Sequence, residues 1–117
     1  MGQRNLQRLI VADSGEVTQL TSLVTGVTLH THHGKITTVA ATTAAAAEEE
    51  FVVTNDAVGA DSVVVACVAT YGGSGTPIVE VSKVAKGSFT VLVANLHASA
   101  ALDALMTINY LVLGAVR

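Results

Sequence analysis

Tryptophan is absent from this chain of 117 residues, proline and cysteine occur once each, and only four residues are aromatic. With Cys67 alone, no internal disulfide can form, so any fold rests on its core. A chain of this length buries roughly 65% of the surface it exposes when unfolded, enough for a core without staples. Charge is equally scarce: 13% of residues, with a formal net charge of −3. That balance argues against a general nucleic-acid binder, which would show a basic stripe. No apolar run approaches the roughly 20 residues of a membrane-spanning helix. Arg4 and Arg8 precede only Leu9 to Ala12, too short an apolar stretch for a secretory signal, and position 6 is Leu rather than the Ser or Thr of a myristoylation motif.

Half of the residues are hydrophobic, and they are mostly Val, Ala, Leu and Ile, with abundant Thr beside them. Small and β-branched side chains suit thin, tightly packed sheets. The stretch Asp61–Tyr71 is the longest near-continuous apolar run. Alternation places Val63, Val65, Cys67 and Ala69 on one face and Val64, Ala66 and Val68 on the other. Both faces are apolar, which predicts a strand covered on one side by its own fold and on the other by another subunit. Cys67 reads as a small buried hydrophobe within it.

Residues 1–16 read as an N-terminal arm and residues 17–117 as a single β-domain. The arm ends in the turn signal Asp13-Ser14-Gly15-Glu16, with Leu6, Leu9 and Ile10 as apolar anchors for a neighbour. Strands are expected over Val17–Leu23, Val27–His32 and Lys35–Ala40, the last two as a hairpin. Ala44 to Glu50 favours helix locally but is short, so a loop running into a strand over Glu48–Thr54 is preferred to a helical turn. Asn55-Asp56 is turn chemistry. Gly72 to Pro77 reads as a flexible hairpin loop, Ala85–Ser88 as a tight turn, and Asn95–Asp103 as a loop of small residues. Between them lie strands over Ile78–Val84, Phe89–Ala94 and Leu105–Leu113. In these, Val79, Val81, Phe89, Val91, Val93, Met106, Ile108, Tyr110 and Val112 form the inward set. The expected class is all-β: a β-sandwich, jelly-roll-like, of about seven or eight short antiparallel strands.

Sites of chemistry are few. His30 and His32 share a face if the segment is a strand, and are weak candidates for pinching a metal. No Cys, Asp or Glu nearby completes a closed set, so a polar loop tip is the preferred reading and no metal or cofactor is expected. Alternation separates Glu49 from Glu48 and Glu50, which favours a solvated strand edge over a cation site. Gly72-Gly73-Ser74-Gly75 lacks the Lys-Ser/Thr ending of a phosphate loop. No catalytic triad spacing or carboxylate pair stands out, and no enzyme is expected.

Several segments, in order, resemble the small β-modules of tailed bacteriophages. Val17-Thr18-Gln19-Leu20-Thr21-Ser22, Thr25-Gly26-Val27-Thr28-Leu29 and Gly34-Lys35-Ile36-Thr37 carry the likeness at the start. Phe51-Val52-Val53-Thr54-Asn55, Ala60 to Val65, Val84 to Thr90 and Ile108-Asn109-Tyr110 continue it, across roughly residues 14–114. With little sequence outside the module, the resemblance implies a stand-alone capsid decoration, or cement, protein. Such a protein sits on the outer capsid surface of the virion, binds the major capsid protein and itself as a homotrimer or homodimer, and touches neither nucleic acid nor membrane. The alternatives are a host-receptor module, a head-fibre or tail-fibre tip binding glycan through Tyr71–Pro77 and Asn95–Asp103, and an assembly scaffold absent from the mature particle. Four aromatics are few for sugar stacking.

Overall fold

The structure, a computed structural model, describes residues 13–114. Eight strands are present: β1 (Ser14–Thr18), β2 (Val27–Thr28), β3 (His33–Thr37), β4 (Glu48–Thr54), β5 (Val63–Tyr71), β6 (Pro77–Ala85), β7 (Ser88–Asn95) and β8 (Met106–Leu113). They form two four-stranded sheets, in the orders β1-β3-β8-β5 and β2-β4-β7-β6. The class is all-β, as the alternating pattern predicts.

Period-two alternation explains which side chains meet between the sheets. In β7 and β8 every second residue is inward and nearly inaccessible: Phe89, Val91 and Val93 from one sheet, and Met106, Ile108, Tyr110 and Val112 from the other. Ile36, Phe51 and Val53 complete the centre. Burying each such side chain is worth about 1.5–3 kcal/mol. Phe89 meets Tyr110 edge to face across the core, with ring centroids 5.1 Å apart and planes at 62°, the arrangement in which a positive ring edge meets a negative ring face.

The sheets are mixed rather than wholly antiparallel. β1 pairs with β3, and β2 with β4, in parallel. Only β6 and β7 are joined by a hairpin within one sheet; every other connection between successive strands passes from one sheet to the other. A chain that leaves a sheet and comes back in the same direction pairs parallel on its return, and β1–β2–β3 does this. The expected hairpin over Val27–Ala40 is therefore not formed. β2 shrinks to two residues, and Leu29–His32 carries the chain across the sandwich, with the amide of Leu29 donating to Thr54 O (3.0 Å) and that of Val112 to His32 O (2.7 Å). The Gly72–Thr76 loop likewise joins strands of opposite sheets instead of closing a hairpin.

Two boundaries also move. β1 begins at Ser14, so Ser14–Glu16 belongs to the sheet and not to the arm. Leu6, Leu9 and Ile10 lie outside the described residues. The strand expected over Val17–Leu23 ends at Thr18, because the next residue, Gln19, is buried. Its amide group donates to Leu23 O (2.9 Å) and Thr25 O (3.0 Å), which folds Gln19–Thr25 into a loop. The Glu48–Thr54 strand, the Lys86-Gly87 turn and the inward sets of β6, β7 and β8 fall where the pattern places them. Gly87 adopts φ 86°, a conformation that needs glycine.

Gly34 has a different reason to be glycine. It lies opposite Tyr110 in the β3–β8 pairing, and a Cβ there would sit 2.4 Å from Tyr110 Cε2 and 2.6 Å from its hydroxyl. The ring is fixed by Phe89 and cannot swing away. Gly34→Ala is therefore expected to cost about 1–3 kcal/mol in a urea unfolding titration. Gly72→Ala, where an added Cβ meets no atom within 4 Å, is expected to stay within about 0.5 kcal/mol of the parent.

Candidate functional site

Alternation along β5 holds as expected: Val64 is buried, while Val63 (60% exposed), Val65 (53%), Cys67 and Ala69 point outward. The expectation that Cys67 is buried is overturned. Among the described residues its strand is covered on the inner face only, and the second apolar face is exposed. The thiol is exposed, two residues along the strand from Val65 and opposite Asn109 of β8.

Register arithmetic lays out this outer face row by row. Ser14, His33, Leu111 and Val65 form one row across the sheet. Glu16, Lys35, Asn109 and Cys67 form the next, and Thr18, Thr37, Thr107 and Thr70 a third. Leu113 and Val63 pair beyond them. Apolar side chains thus collect at the β5–β8 corner, and charged ones stay on β1 and β3. Neither β5 nor β8 carries a single charged residue. A shallow hollow of about 260 Å³ opens there, lined by His33, Val65, Ala66, Cys67, Asn109, Tyr110 and Leu111. Monomeric proteins seldom leave contiguous apolar surface without a use for it.

The histidines do not converge. His30 Nδ1 accepts the amide of Asp56 at 3.0 Å. His32 Nδ1 lies in a short hydrogen bond with Asp13 Oδ2, and the same carboxylate takes the His32 amide at 3.2 Å. His33 points outward from β3 into the hollow, and His97 Nδ1 accepts the amides of Ser99 (3.1 Å) and Ala100 (2.9 Å). His30 and His32 are thus engaged by different carboxylate residues. No group of three or more metal-ligating side chains is found among the described residues. Glu48 and Glu50 point to solvent and Glu49 turns inward to accept a hydrogen bond from Thr43 Oγ1 at 2.5 Å. β2 pairs only with Val53 and Thr54, so this acidic stretch of β4 is a strand edge, as its charges suggest.

Two loops meet at one end of the sandwich. The amide of Ser74 donates to Asp103 Oδ1 (2.7 Å), and the amide of Asp103 to the Tyr71 hydroxyl (3.0 Å), which itself donates to Ser74 O. Asn95, 1% exposed, holds the base of the cluster. Its Nδ2 donates to the carbonyls of Thr43, Ala44 and Ala100 at 2.8–3.3 Å, and its Oδ1 accepts the amides of Thr76 (3.0 Å) and His97 (3.1 Å). The sequence shows Asn95 only as a loop boundary; nothing in spacing marks it as a hub for three segments.

At the opposite end, the Tyr110 hydroxyl lies within 3.3 Å of Leu29 O, Thr31 O, Thr31 Oγ1 and Asn55 Nδ2. Burial raises the Tyr110 pKa above its ordinary value of 10; the side-chain hydrogen bond from Thr31 works in the opposite direction.

No known family model, curated protein or solved structure matches this chain.

Two predictions follow from these polar anchors. Asn95→Asp replaces three-carbonyl donation by a carboxylate facing oxygen atoms, which raises the new group's pKa in the folded state. Its stability deficit is expected to be at least about 2 kcal/mol at pH 7 and smaller near pH 4, where the acid is protonated and can donate; equal deficits in melts at both pH values would contradict this. For Tyr110, a folded pKa above the unfolded one keeps full stability below pH 10 and loses it as pH rises further. Tyr110→Phe is expected to lower stability at pH 7 by about 1–3 kcal/mol yet show a shallower decline above pH 10 in the same melts.

Proposed function

We propose that this chain is a structural virion protein of a tailed bacteriophage: a capsid decoration, or cement, protein on the outer capsid surface. It holds neighbouring subunits of the major capsid protein together as a homo-oligomer, a homotrimer or homodimer, and stabilises the head. The observation that carries this reading is the uncharged corner of the outer face where β5 meets β8, apolar at Val63, Val65, Leu111 and Leu113, with Val63 and Val65 more than half exposed. Such a face suits burial in a permanent assembly. The sequence resemblance supplies the identity of that assembly. Each contact need only be modest, because a lattice fixes the spacing of many copies and multivalency multiplies their effect. In this reading Leu6, Leu9 and Ile10 anchor an amino-terminal arm on a neighbouring subunit. The role is non-catalytic, and the partners are proteins rather than nucleic acid or membrane.

On architecture, the reading keeps the jelly-roll-like description. Eight strands in two four-stranded sheets, with connections that pass between sheets, support it. The two parallel pairs set this chain apart from a wholly antiparallel roll.

A second reading, a glycan-binding head-fibre or tail-fibre tip, draws support from the meeting of Tyr71–Pro77 with the loop around Asp103. Only one ring, Tyr71, stands there, and its hydroxyl is already engaged by Ser74 and Asp103. That leaves little for a sugar to stack on.

Adding purified protein to capsids stripped of their decoration tests the proposal. Saturable binding at a fixed copy number and a raised capsid melting temperature are the expected results. Deletion of residues 2–12 is expected to reduce occupancy. Capsids that ignore the protein, while host cells or glycans retain it, would transfer the assignment to the second reading. Absence from purified virions would point to an assembly scaffold.

A further inference from the structure

We propose that the amino-terminal segment of one copy fills the β5–β8 corner of the next: Leu6, Leu9 and Ile10 seat on Val63, Val65, Leu111 and Leu113 of a neighbouring chain. The inference rests on reading residues 1–12 as an anchoring arm, and not on the capsid assignment; it names the surface on which that arm lands. Size argues for a segment rather than a folded partner. The four outward side chains make a patch well short of the roughly 800 Å² that a partner of standard size covers. Such a patch suits a short occupant with a few apolar anchors. Two segments of the chain lie outside the described residues. Residues 1–12 offer Leu6, Leu9 and Ile10, whereas residues 115–117 hold one large apolar side chain, Val116.

Chain reach decides whose corner is filled. The first described residue, Asp13, is tied to the sheet at the β1 edge. Its carbonyl accepts the amide of His33 at 3.2 Å, and its carboxylate accepts that of His32 at 3.2 Å. The strand order β1-β3-β8-β5 puts the corner at the opposite edge. Three strand spacings, about 14 Å, separate Asp13 from β5, and a layer packed on a sheet stands about 10 Å above it. A segment over β5 therefore lies about 17 Å from Asp13. A chain spans at most about 3.3–3.6 Å per residue, so Ile10 reaches about 11 Å from Asp13 and Leu9 about 14 Å. Of the three anchors, only Leu6 could cover its own β5.

A second copy removes that limit. The arm departs from one edge of the sheet and the corner lies at the other, so copies set head to tail bring arm and corner together. Donor and acceptor are different surfaces. The contact therefore closes as a ring or, with two arms exchanged, as a dimer.

Sedimentation velocity on the full chain, from about 5 to about 500 µM, is the first test. Reversible self-association is expected. Leu6→Ser, Leu9→Ser and Ile10→Ser together are expected to raise the dissociation constant at least about tenfold, and Val65→Lys to do the same. Because arm and corner are halves of one contact, combining these substitutions is expected to weaken association no further than the stronger set alone. Additive losses would mean that each half meets a different partner, and would overturn the proposal. The second test needs no lysine variant. A chain carrying Leu9→Cys and Cys67→Ser is mixed with the parent chain and mildly oxidised. A mixed dimer, joined through the parent's Cys67, is expected. Leu96→Cys in place of Leu9→Cys, at a position 64% exposed after β7, is expected to give markedly less. A monomer throughout the concentration range, or equal cross-linking through Leu96→Cys, would overturn the proposal. So would an internal disulfide formed when Leu9→Cys is placed in a chain that keeps Cys67, since the arm would then lie on its own sheet. Parent protein that cross-links in this way yet ignores stripped capsids would sink the capsid assignment alone.

Discussion

Tyr110 is where the constraints of this molecule meet. Its ring presses edge to face on Phe89 of the opposite sheet and occupies the space that any side chain at Gly34 would need. Its hydroxyl reaches the Leu29–Thr31 crossing and Asn55. One side chain therefore joins two sheets, a crossing segment and a turn. In a core built mostly of Val, Ile and Leu, which are directionless, a hydroxyl with four polar neighbours supplies what apolar packing cannot: a defined position for non-repetitive chain. Burial of that hydroxyl without these partners would cost about 1–3 kcal/mol.

The same logic recurs at the other crossings. A chain that changes sheet between nearly every pair of strands leaves many backbone groups outside any ladder. Three buried amides serve those groups. Gln19 ties the loop after β1, Asn55 the segment after β4, and Asn95 the segments around β6 and β8. No buried side-chain nitrogen or oxygen among the described residues lacks a partner. Short amide side chains suit this work because each offers donors and an acceptor at once. The scarcity of charge fits the same design, since burying ions at so many crossings would be costly.

What could be read in advance divides along the same line. The all-β class, the inward sets of β6, β7 and β8, the Lys86-Gly87 turn and the acidic edge at Glu48–Glu50 follow from alternation and turn chemistry, which are local. Sheet membership is not local. Val27–His32 and Lys35–Ala40 have the pattern of hairpin strands, and nothing within either segment announces that one crosses the sandwich. The parallel pairs went unread for that reason, and so did the role of Asn95, whose partners come from three distant segments. Cys67 shows the limit of composition. An apolar run predicts two apolar faces correctly, but whether a second layer covers one of them depends on assembly. The histidine cluster shows a further limit: His30 and His32 alternate as ligands on one face would, yet Asp56 and Asp13 draw them into separate turns.

Among the described residues the interior is satisfied, and the outward side chains of β5, with Leu111 and Leu113 of β8, leave one uncharged, largely apolar face exposed. The central claim is that this flank is the protein's working surface. Amide hydrogen exchange, measured on the free chain at low concentration and on the chain bound to stripped capsids, tests it most directly. The account predicts fast exchange at alternate amides of Val63–Val68 in the free chain and strong protection of the same amides in the assembly. Unchanged exchange along β5, with new protection confined to the Tyr71–Pro77 and Asn95–Asp103 loops, would contradict it.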